Sequence, residues 1–290
     1  MEFMIWKEFV PMKISLVLST LDRVEPLERF FHGLRSQSYR NYEVIIVDQN
    51  EDDRLTGLIK QYESEFTIKH VTSPKGLSIA RNNGLEHSEG EIIAFPDDDC
   101  WYSAEVLQQV VTYLRAHPEM DGISGLCRDD NETVIGNPSP TAGTINRRSV
   151  WRMGISCAIF IRRNLIESGI RYNTSLGVGS GTPFGSGEET DFLLQAIERH
   201  FRIYYTPELV IGHPAPMLIY SEQQNRKVYA YGCGFGRVLR LNAYPLHQAL
   251  YFFARPLGGI VVSLLQFNRR KAIYYYNSLS GRTKGYFSIQ

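Results

Sequence analysis

The chain has little cysteine: Cys100, Cys127, Cys157 and Cys233 are the only four in 290 residues, and no two of them are separated by two residues. That excludes a disulfide-stapled scaffold and the spacing of a zinc knuckle or dithiol redox motif, so the four are read as free thiols of a reducing compartment. No uninterrupted apolar run reaches the roughly eighteen residues that a simple spanning helix needs. The first apolar stretch, Ile14 to Leu18, runs straight into polar sequence, so no signal peptide is expected there. Residues 1–11, ahead of a more compact start at Met12, read as a peripheral extension or a mis-called start. A Walker loop is missing, and no Gly-x-Gly-x-x-Gly follows the first strand, which argues against an ATPase and a Rossmann dehydrogenase. Without a recognition module, nucleic acid is not an expected partner.

What is present is an ordinary globular balance, 43% hydrophobic and 21% charged, with 31 basic and 31 acidic residues. The zero net charge hides an asymmetry. Residues 1–213 carry 21 Lys and Arg against 30 Asp and Glu, a net of −9, whereas residues 214–290 carry 10 against 1, a net of +9. The two parts face different partners.

Apolar runs alternate with helical spacing along the acidic part. Ile14 to Leu18, Val44 to Val47, Ile68 to Val71, Ile92 to Phe95, Ile123 to Cys127, Cys157 to Ile161 and Leu209 to Ile211 read as strands. Between them Leu27, Phe30, Phe31 and Leu34, then Leu55, Leu58, Ile59 and Tyr62, then Ile79 to Leu85, then Ala104 to Arg115, read as helices. The expectation is an α/β fold with a mostly parallel sheet covered by helices on both faces. Ligands of such sheets sit beyond the carboxyl ends of the strands. Here those ends carry Ser19-Thr20, Asp48, Asp97-Asp98-Asp99 and His213.

Three successive aspartates after a buried strand raise one another's pKa unless positive charge sits among them. A hard divalent cation, Mg²⁺ or Mn²⁺, is the natural candidate, with phosphate oxygens completing its shell. Lys75-Gly76-Leu77-Ser78-Ile79-Ala80-Arg81 opens a helix and offers amides and basic charge to such a phosphate. The glycines at 177, 179, 181, 185 and 187 preclude regular structure and predict a mobile loop leading into Glu188-Glu189-Thr190-Asp191 at a helix start. Those carboxylates suit the helix dipole, and one of them is also placed to serve as a base. Gly232-Cys233-Gly234-Phe235-Gly236, amid aromatics, reads as a packing feature or a bend.

In this order, Ser19-Thr20-x-Asp22-Arg23, strand-Asp48, Gly76-Leu77-Ser78-x-Ala80-Arg81-Asn82, Phe95-Pro96-Asp97-Asp98-Asp99, Gly187-Glu188-Glu189-Thr190-Asp191 and His213, the chain resembles an inverting family 2 glycosyltransferase of the GT-A fold, over roughly residues 13–213. The resemblance implies a metal-dependent enzyme of surface-polysaccharide synthesis. Its donor would be a UDP-, GDP- or dTDP-linked sugar and its acceptor a glycan or lipid-linked glycan. It implies that Ser19, Thr20 and Asp48 line the nucleobase and ribose pocket, that Arg81 lies near ribose and diphosphate, and that Asp22, Gly76 and Glu188 belong to the substrate-binding set. Asp97, Asp98 and Asp99 match the family's DXD motif. There Asp99 ligates the metal, and Asp97 or Asp98 holds the ribose or the metal's waters, with Asp97 a further candidate ligand. Glu189 matches the general base, with Asp191 as its rival, and His213 matches a metal ligand of some members.

From Met217 onward aromatics alternate with basic residues. Leu246, Leu250, Phe253, Leu257, Ile260, Leu264 and Phe267 keep helical spacing beside Arg269-Arg270-Lys271. Such a stripe either packs on the catalytic domain or lies in a leaflet with its basic cluster on anionic headgroups. The expected organisation is an extension at 1–11, a catalytic domain at 12–213 and a helical basic tail at 214–290 that touches a membrane surface from the cytoplasmic side, Arg255 and Gly258-Gly259 arguing against spanning. Two other readings stay open: a nucleotidyltransferase, whose glycine-rich motif with Arg and Lys is replaced here by Ser19-Thr20-Leu21-Asp22, and a non-catalytic nucleotide-sugar-binding subunit.

Overall fold

The computed structural model describes residues 11–217 and 219–288; the proposed extension falls, but for Pro11, outside them. The elements in chain order are β1 (Ile14–Thr20), α1 (Glu25–Arg35), β2 (Tyr42–Asp48), α2 (Thr56–Tyr62), β3 (Thr67–Thr72), α3 (Leu77–His87), β4 (Ile92–Ala94), α4 (Val106–Ala116), β5 (Gly122–Arg128), β6 (Gly143–Thr144), α5 (Val150–Met153), β7 (Ile159–Arg162), α6 (Asn164–Glu167), α7 (Glu188–Glu198), β8 (Ile203–Gly212), α8 (Glu222–Leu241), α9 (Leu246–Leu265) and α10 (Arg269–Phe287). The strands form one sheet in the order β3-β2-β1-β4-β7-β5-β8-β6. β7 runs antiparallel between β4 and β5, and β6 antiparallel on β8, so the mostly parallel sheet has two reversed strands.

β1 and β2 are buried at every position, which is why they read as continuous apolar runs rather than alternating ones. Alternate residues feed two cores. Leu16, Leu18, Val44 and Ile46 meet α1, α2 and α4 on one face, while Val17, Ile45 and Val47 belong to a cluster with α3 and α7 on the other. Parallel pairing then brings the functional ends together. Thr20 stands opposite Asp48 in register, and a further bridge joins Ser19 to Asp97 beyond β4. β8 runs parallel to β5 and leaves His213 at the same edge, where Gly212 pairs with Trp101.

The C-terminal segment consists of three long helices, of which the sequence had suggested only α9. Gly232, Gly234 and Gly236 lie within α8 with no bend. Gly232 and Gly236 pack against α10, whose Gly281 and Gly285 return the contact, so that a Cβ at any of the four would strike backbone of the other helix. Val238, Leu239, Tyr244, Phe253 and Tyr286 complete the α3/α7 core, so α8–α10 are joined to the sheet. The stripe expected along α9 is divided: Ala249, Phe253, Pro256 and Ser263 face inward, whereas Leu246, Leu250, Leu257, Val261 and Leu264 are exposed. Phe267 lies beyond the end of the helix and is 93% exposed. By length and composition α9 is apolar enough to cross a membrane, with a mean hydropathy of 1.4, although its apolar run is broken. Arg255 interrupts the run but not the average.

The glycine contact yields a paired prediction. Gly285→Ala places a methyl on the Cys233 carbonyl and should cost about 1–3 kcal/mol by overpacking, lowering the urea midpoint. Gly258→Ala, with nothing within 4 Å of the new Cβ, should leave the midpoint unchanged or raise it, because a helical Gly costs roughly 0.5–1 kcal/mol relative to Ala. Equal midpoints for the two variants would remove the close-packing account.

Candidate active site

The acidic trio follows directly from the chain path. β4 is three residues long and ends at Phe95-Pro96, where the missing N–H of proline terminates pairing, and Asp97, Asp98 and Asp99 turn across the ends of β1 and β8. Three cationic side chains from three other segments meet them. Arg81, from α3, donates from Nη2 to Asp97 Oδ1 at 3.0 Å and to Ser156 Oγ at 2.5 Å, and from Nη1 to Glu188 Oε1 at 3.3 Å. The Tyr172 ring lies 5.2 Å from its guanidinium carbon. Arg23, from the β1–α1 loop, donates to Asp98 Oδ1 at 2.8 Å and Asp99 Oδ2 at 2.5 Å. His213 Nε2 stands 3.3 Å from Asp99 Oδ1 and 3.9 Å from Asp97 Oδ2, while its Nδ1 is 2.8 Å from the Pro214 carbonyl.

These contacts set the protonation. Burial works against charge on all three aspartates; it prevails at Asp97 and Asp98, whose pKa values are raised despite Arg81 and Arg23. At Asp99 burial is outweighed by the His213 hydrogen bond and by Arg23, and the value falls to about 2. Reciprocally, burial opposes the imidazolium of His213, but its bond to Asp99 lifts the pKa to about 9. His213 is therefore cationic at neutral pH, and both its ring nitrogens donate.

The remaining candidates divide into two sets. Thr20 Oγ1 donates to Asp98 Oδ2 at 2.8 Å, and buried Ser19 beside it leaves its hydroxyl unpartnered. Asp48 accepts from Asn50 and lies 2.9 Å from His70 Nε2. Gln49 Oε1 takes the Gly76 N–H at 2.8 Å, and the φ of +133° at Gly76 explains why glycine opens α3. The glycine-rich segment is irregular, as expected, but it is hydrogen-bonded to α3 through Leu77 N to Val178 O and Ser78 Oγ to Leu176 O. Glu189, half-buried at the start of α7, has Glu188, Arg81 and Asp97 as its electrostatic neighbours. Burial first, and the Glu188 charge second, raise its pKa to about 8.

Three expected roles change on inspection. Arg81 is 1% exposed, so it braces Asp97 and Glu188 from beneath rather than facing a ligand. The Asp22 carboxylate turns away from the trio to Arg54, at 2.8 Å. Asp191 is tied to Asn242 Nδ2 at 2.8 Å and Gln195 Nε2 at 2.9 Å, which directs it to the α7–α8 junction. Sequence reasoning missed Ser156, Tyr172, His70 and the role of Arg23. It also missed Tyr231 of α8, which is 39% exposed as a residue but whose partly enclosed phenol, beside the charges of Glu188, Glu189 and Asp97, has its pKa raised to about 12. Arg23 had a usable signal, a basic residue in a strand-end loop facing three aspartates; Tyr172 and Tyr231 lie in segments whose path no local pattern reveals.

Among the described residues no group of three or more His, Cys, Asp or Glu side chains is arranged to hold a metal ion. The donor types, two carboxylates and an imidazole, fit Mn²⁺ or Mg²⁺, but their oxygens are engaged in ion pairs.

Residues 15–168, more than half of the chain, match the family described as Glycosyl transferase family 2. Glycosyltransferase AglE of Haloferax volcanii is 28% identical over 227 residues, 70% of this chain and 67% of that one. The GalNAc(5)-diNAcBac-PP-undecaprenol beta-1,3-glucosyltransferase of Campylobacter jejuni is 28% identical over 214 residues, 69% and 68% of the two chains. Against three further relatives the match spans only 29%, 30% and 43% of their lengths. Among solved structures, mannosyltransferase PcManGT from Pyrobaculum calidifontis, in complex with GDP-Man and Mn²⁺, superposes with a TM-score of 0.64 at 15% identity, covering 96% of this chain and 88% of that one. S. aureus TarS 1-349 in complex with UDP-GlcNAc gives 0.57 at 17% identity, covering 94% and 92%. These likenesses establish the GT-A fold, and with the matched sequence they identify the chain as a transferase enzyme that belongs to glycosyl transferase family 2.

Proposed function

We propose that the protein is a metal-dependent, inverting glycosyltransferase that moves a sugar from a nucleoside-diphosphate donor to a glycan or lipid-linked acceptor in surface-polysaccharide synthesis. The observation that carries this reading is the single edge at which Ser19, Thr20, Asp48, the aspartate trio, Glu189 and His213 meet. Ser19, Thr20 and Asp48 bind the nucleoside, with Asp48 held in place by Asn50 and His70. Asp99, with Asp97 and, once its Nε2 proton is released, His213, would hold Mn²⁺ or Mg²⁺, which supplies Lewis-acid neutralisation of the departing diphosphate when bound.

Glu189 is the base. It takes the proton of the acceptor hydroxyl as oxygen attacks the anomeric carbon from the face opposite the nucleotide, and one such displacement inverts the configuration there. Glu188 accepts from Arg81, and its charge beside Glu189 raises the proton affinity of that carboxylate. Asp191, the rival, has both oxygens committed to Asn242 and Gln195.

The α8–α10 segment is the membrane contact. The exposed Leu246, Leu250, Leu257, Val261, Leu264 and Phe267 lie beside Arg269, Arg270 and Lys271, and the segment's one acidic residue, Glu222, already pairs with Arg226. Such a face rests in one leaflet, at the cytoplasmic side where nucleotide sugars are made, and brings the site to a lipid-linked acceptor.

Two outcomes follow. Glu189→Gln should lower kcat by about 10²–10⁴-fold with donor affinity kept. In the parent enzyme the rate should rise with pH through about 8, because the base works only when deprotonated. Retained turnover in Glu189→Gln with loss in Asp191→Asn would transfer the role. In vesicle flotation the protein should bind phosphatidylglycerol-containing vesicles and not pure phosphatidylcholine. Replacing Arg269, Arg270 and Lys271 by Gln should weaken binding by about 1 kcal/mol per residue, and binding insensitive to lipid charge and to these changes would contradict the contact.

A further inference from the structure

The three cations on the aspartate trio differ in how firmly they are held. Arg81 is enclosed, fixed by Asp97, Glu188 and Ser156 above the Tyr172 ring. His213 is anchored by its backbone N–H to Arg128 O, at 2.8 Å, and by Nδ1 at the Pro214 carbonyl. Arg23 has a side chain 46% exposed, and its guanidinium is held by Asp98 and Asp99. The loop beneath it is pinned independently: Asp22, at φ +59°, donates its N–H to Asn50 Oδ1 at 2.7 Å and accepts from Arg54 Nη1 on its carboxylate. The base of Arg23 is fixed by the loop, while its half-exposed head is held through the two carboxylates.

The occupancy of the carboxylate oxygens makes this consequential. Asp98 spends Oδ1 on Arg23 and Oδ2 on Thr20, and Asp99 spends Oδ2 on Arg23 and Oδ1 on His213. A divalent cation can take Asp99 fully only where a guanidinium nitrogen now sits 2.5 Å from Oδ2. The two cations compete for one carboxylate. Ser19, Thr20 and the end of β2 adjoin the same loop, so a guanidinium released there lies on the nucleotide side of the trio, and its planar fork suits phosphate oxygens.

Resting on the donor-site reading given above, we propose that Arg23 is the exchangeable counter-cation of the site: it yields Asp99 to the divalent cation and transfers its guanidinium to the donor diphosphate. Arg23 is then a positioning residue that couples the two ligands, since each favours the arrangement the other requires. It suppresses metal binding before the nucleotide arrives and rewards the pair together.

The test measures Mn²⁺ binding to the full chain by the electron paramagnetic resonance signal of the free ion, without nucleotide, in the parent, Arg23→Met, Arg23→Lys and Asp99→Ala. Arg23→Met should bind Mn²⁺ on the order of tenfold more tightly, Arg23→Lys should stay near the parent, and Asp99→Ala should lose binding. With Mn²⁺ saturating, calorimetry with UDP, GDP and dTDP in turn should show Arg23→Met losing about tenfold or more in affinity for the nucleotide that the parent binds. Unchanged or weaker Mn²⁺ binding in Arg23→Met, with Asp99→Ala still defective, overturns the exchange and leaves the donor site standing. Unchanged nucleotide affinity overturns the transfer to diphosphate. Mn²⁺ binding indifferent to Asp99→Ala, or no nucleotide bound by the parent, overturns the donor-site reading itself.

Discussion

Three carboxylates gathered at the end of a buried strand cannot remain together without compensating charge, and the surroundings of the site follow from that requirement. Arg81 arrives from α3, Arg23 from the loop after β1 and His213 from the end of β8, so the trio ties together elements far apart in sequence. Each tie also orients something else. Arg81 carries Glu188 and thereby the start of α7, where Glu189 sits; Arg23 carries the loop between β1 and α1. Removing one partner of such a buried pair leaves an uncompensated charge.

The C-terminal helices answer a different constraint. Glycines on α8 and α10 let the two backbones approach closely, and the inner residues of α8 and α9 finish the core on the α3/α7 face of the sheet. With its inner side so committed, α9 turns its large apolar residues outward, next to basic residues that have no acidic partners within their own segment beyond Glu222. The net +9 of this region and the net −9 of residues 1–213 thus belong to one folded unit, the C-terminal helices being packed on the α3/α7 core.

Much of this was legible in the sequence where the signal was local. β1, β2 and β4 were apparent because strands covered on both faces are continuously apolar, and the trio was conspicuous because it follows one of them. The reversed direction of β7 was not legible: its four apolar residues look the same in either direction, and only pairing with β4 and β5 fixes the sense. Nor was α8, since Gly232, Gly234 and Gly236 disfavour a helix locally and are justified by distant backbone, Gly232 and Gly236 by α10 some fifty residues later and Gly234 by Ser186 before α7. Among candidate site residues, Asp97 to Asp99 stood out from their place after an apolar strand, whereas Glu189 rested on the family resemblance. The enclosure of Arg81 and the diversion of Asp191 to Asn242 depend on tertiary contacts that no pattern within a helix encodes. The separation of inward from outward residues on α9 failed for the same reason, because Phe253 and Leu257 share a stripe by spacing but not by neighbours.

The central claim is that the edge bearing Thr20, Asp48 and Asp99 is a nucleoside-diphosphate site completed by a divalent cation. Its most direct test is the thermal unfolding midpoint of the intact protein with UDP, GDP and dTDP in turn, each with and without Mn²⁺, because a ligand that binds only the native state raises that midpoint. One nucleotide should raise it in a Mn²⁺-dependent manner, with the rise abolished in Asp99→Ala. No shift with any of the three, or an equal shift in Asp99→Ala, would contradict the account.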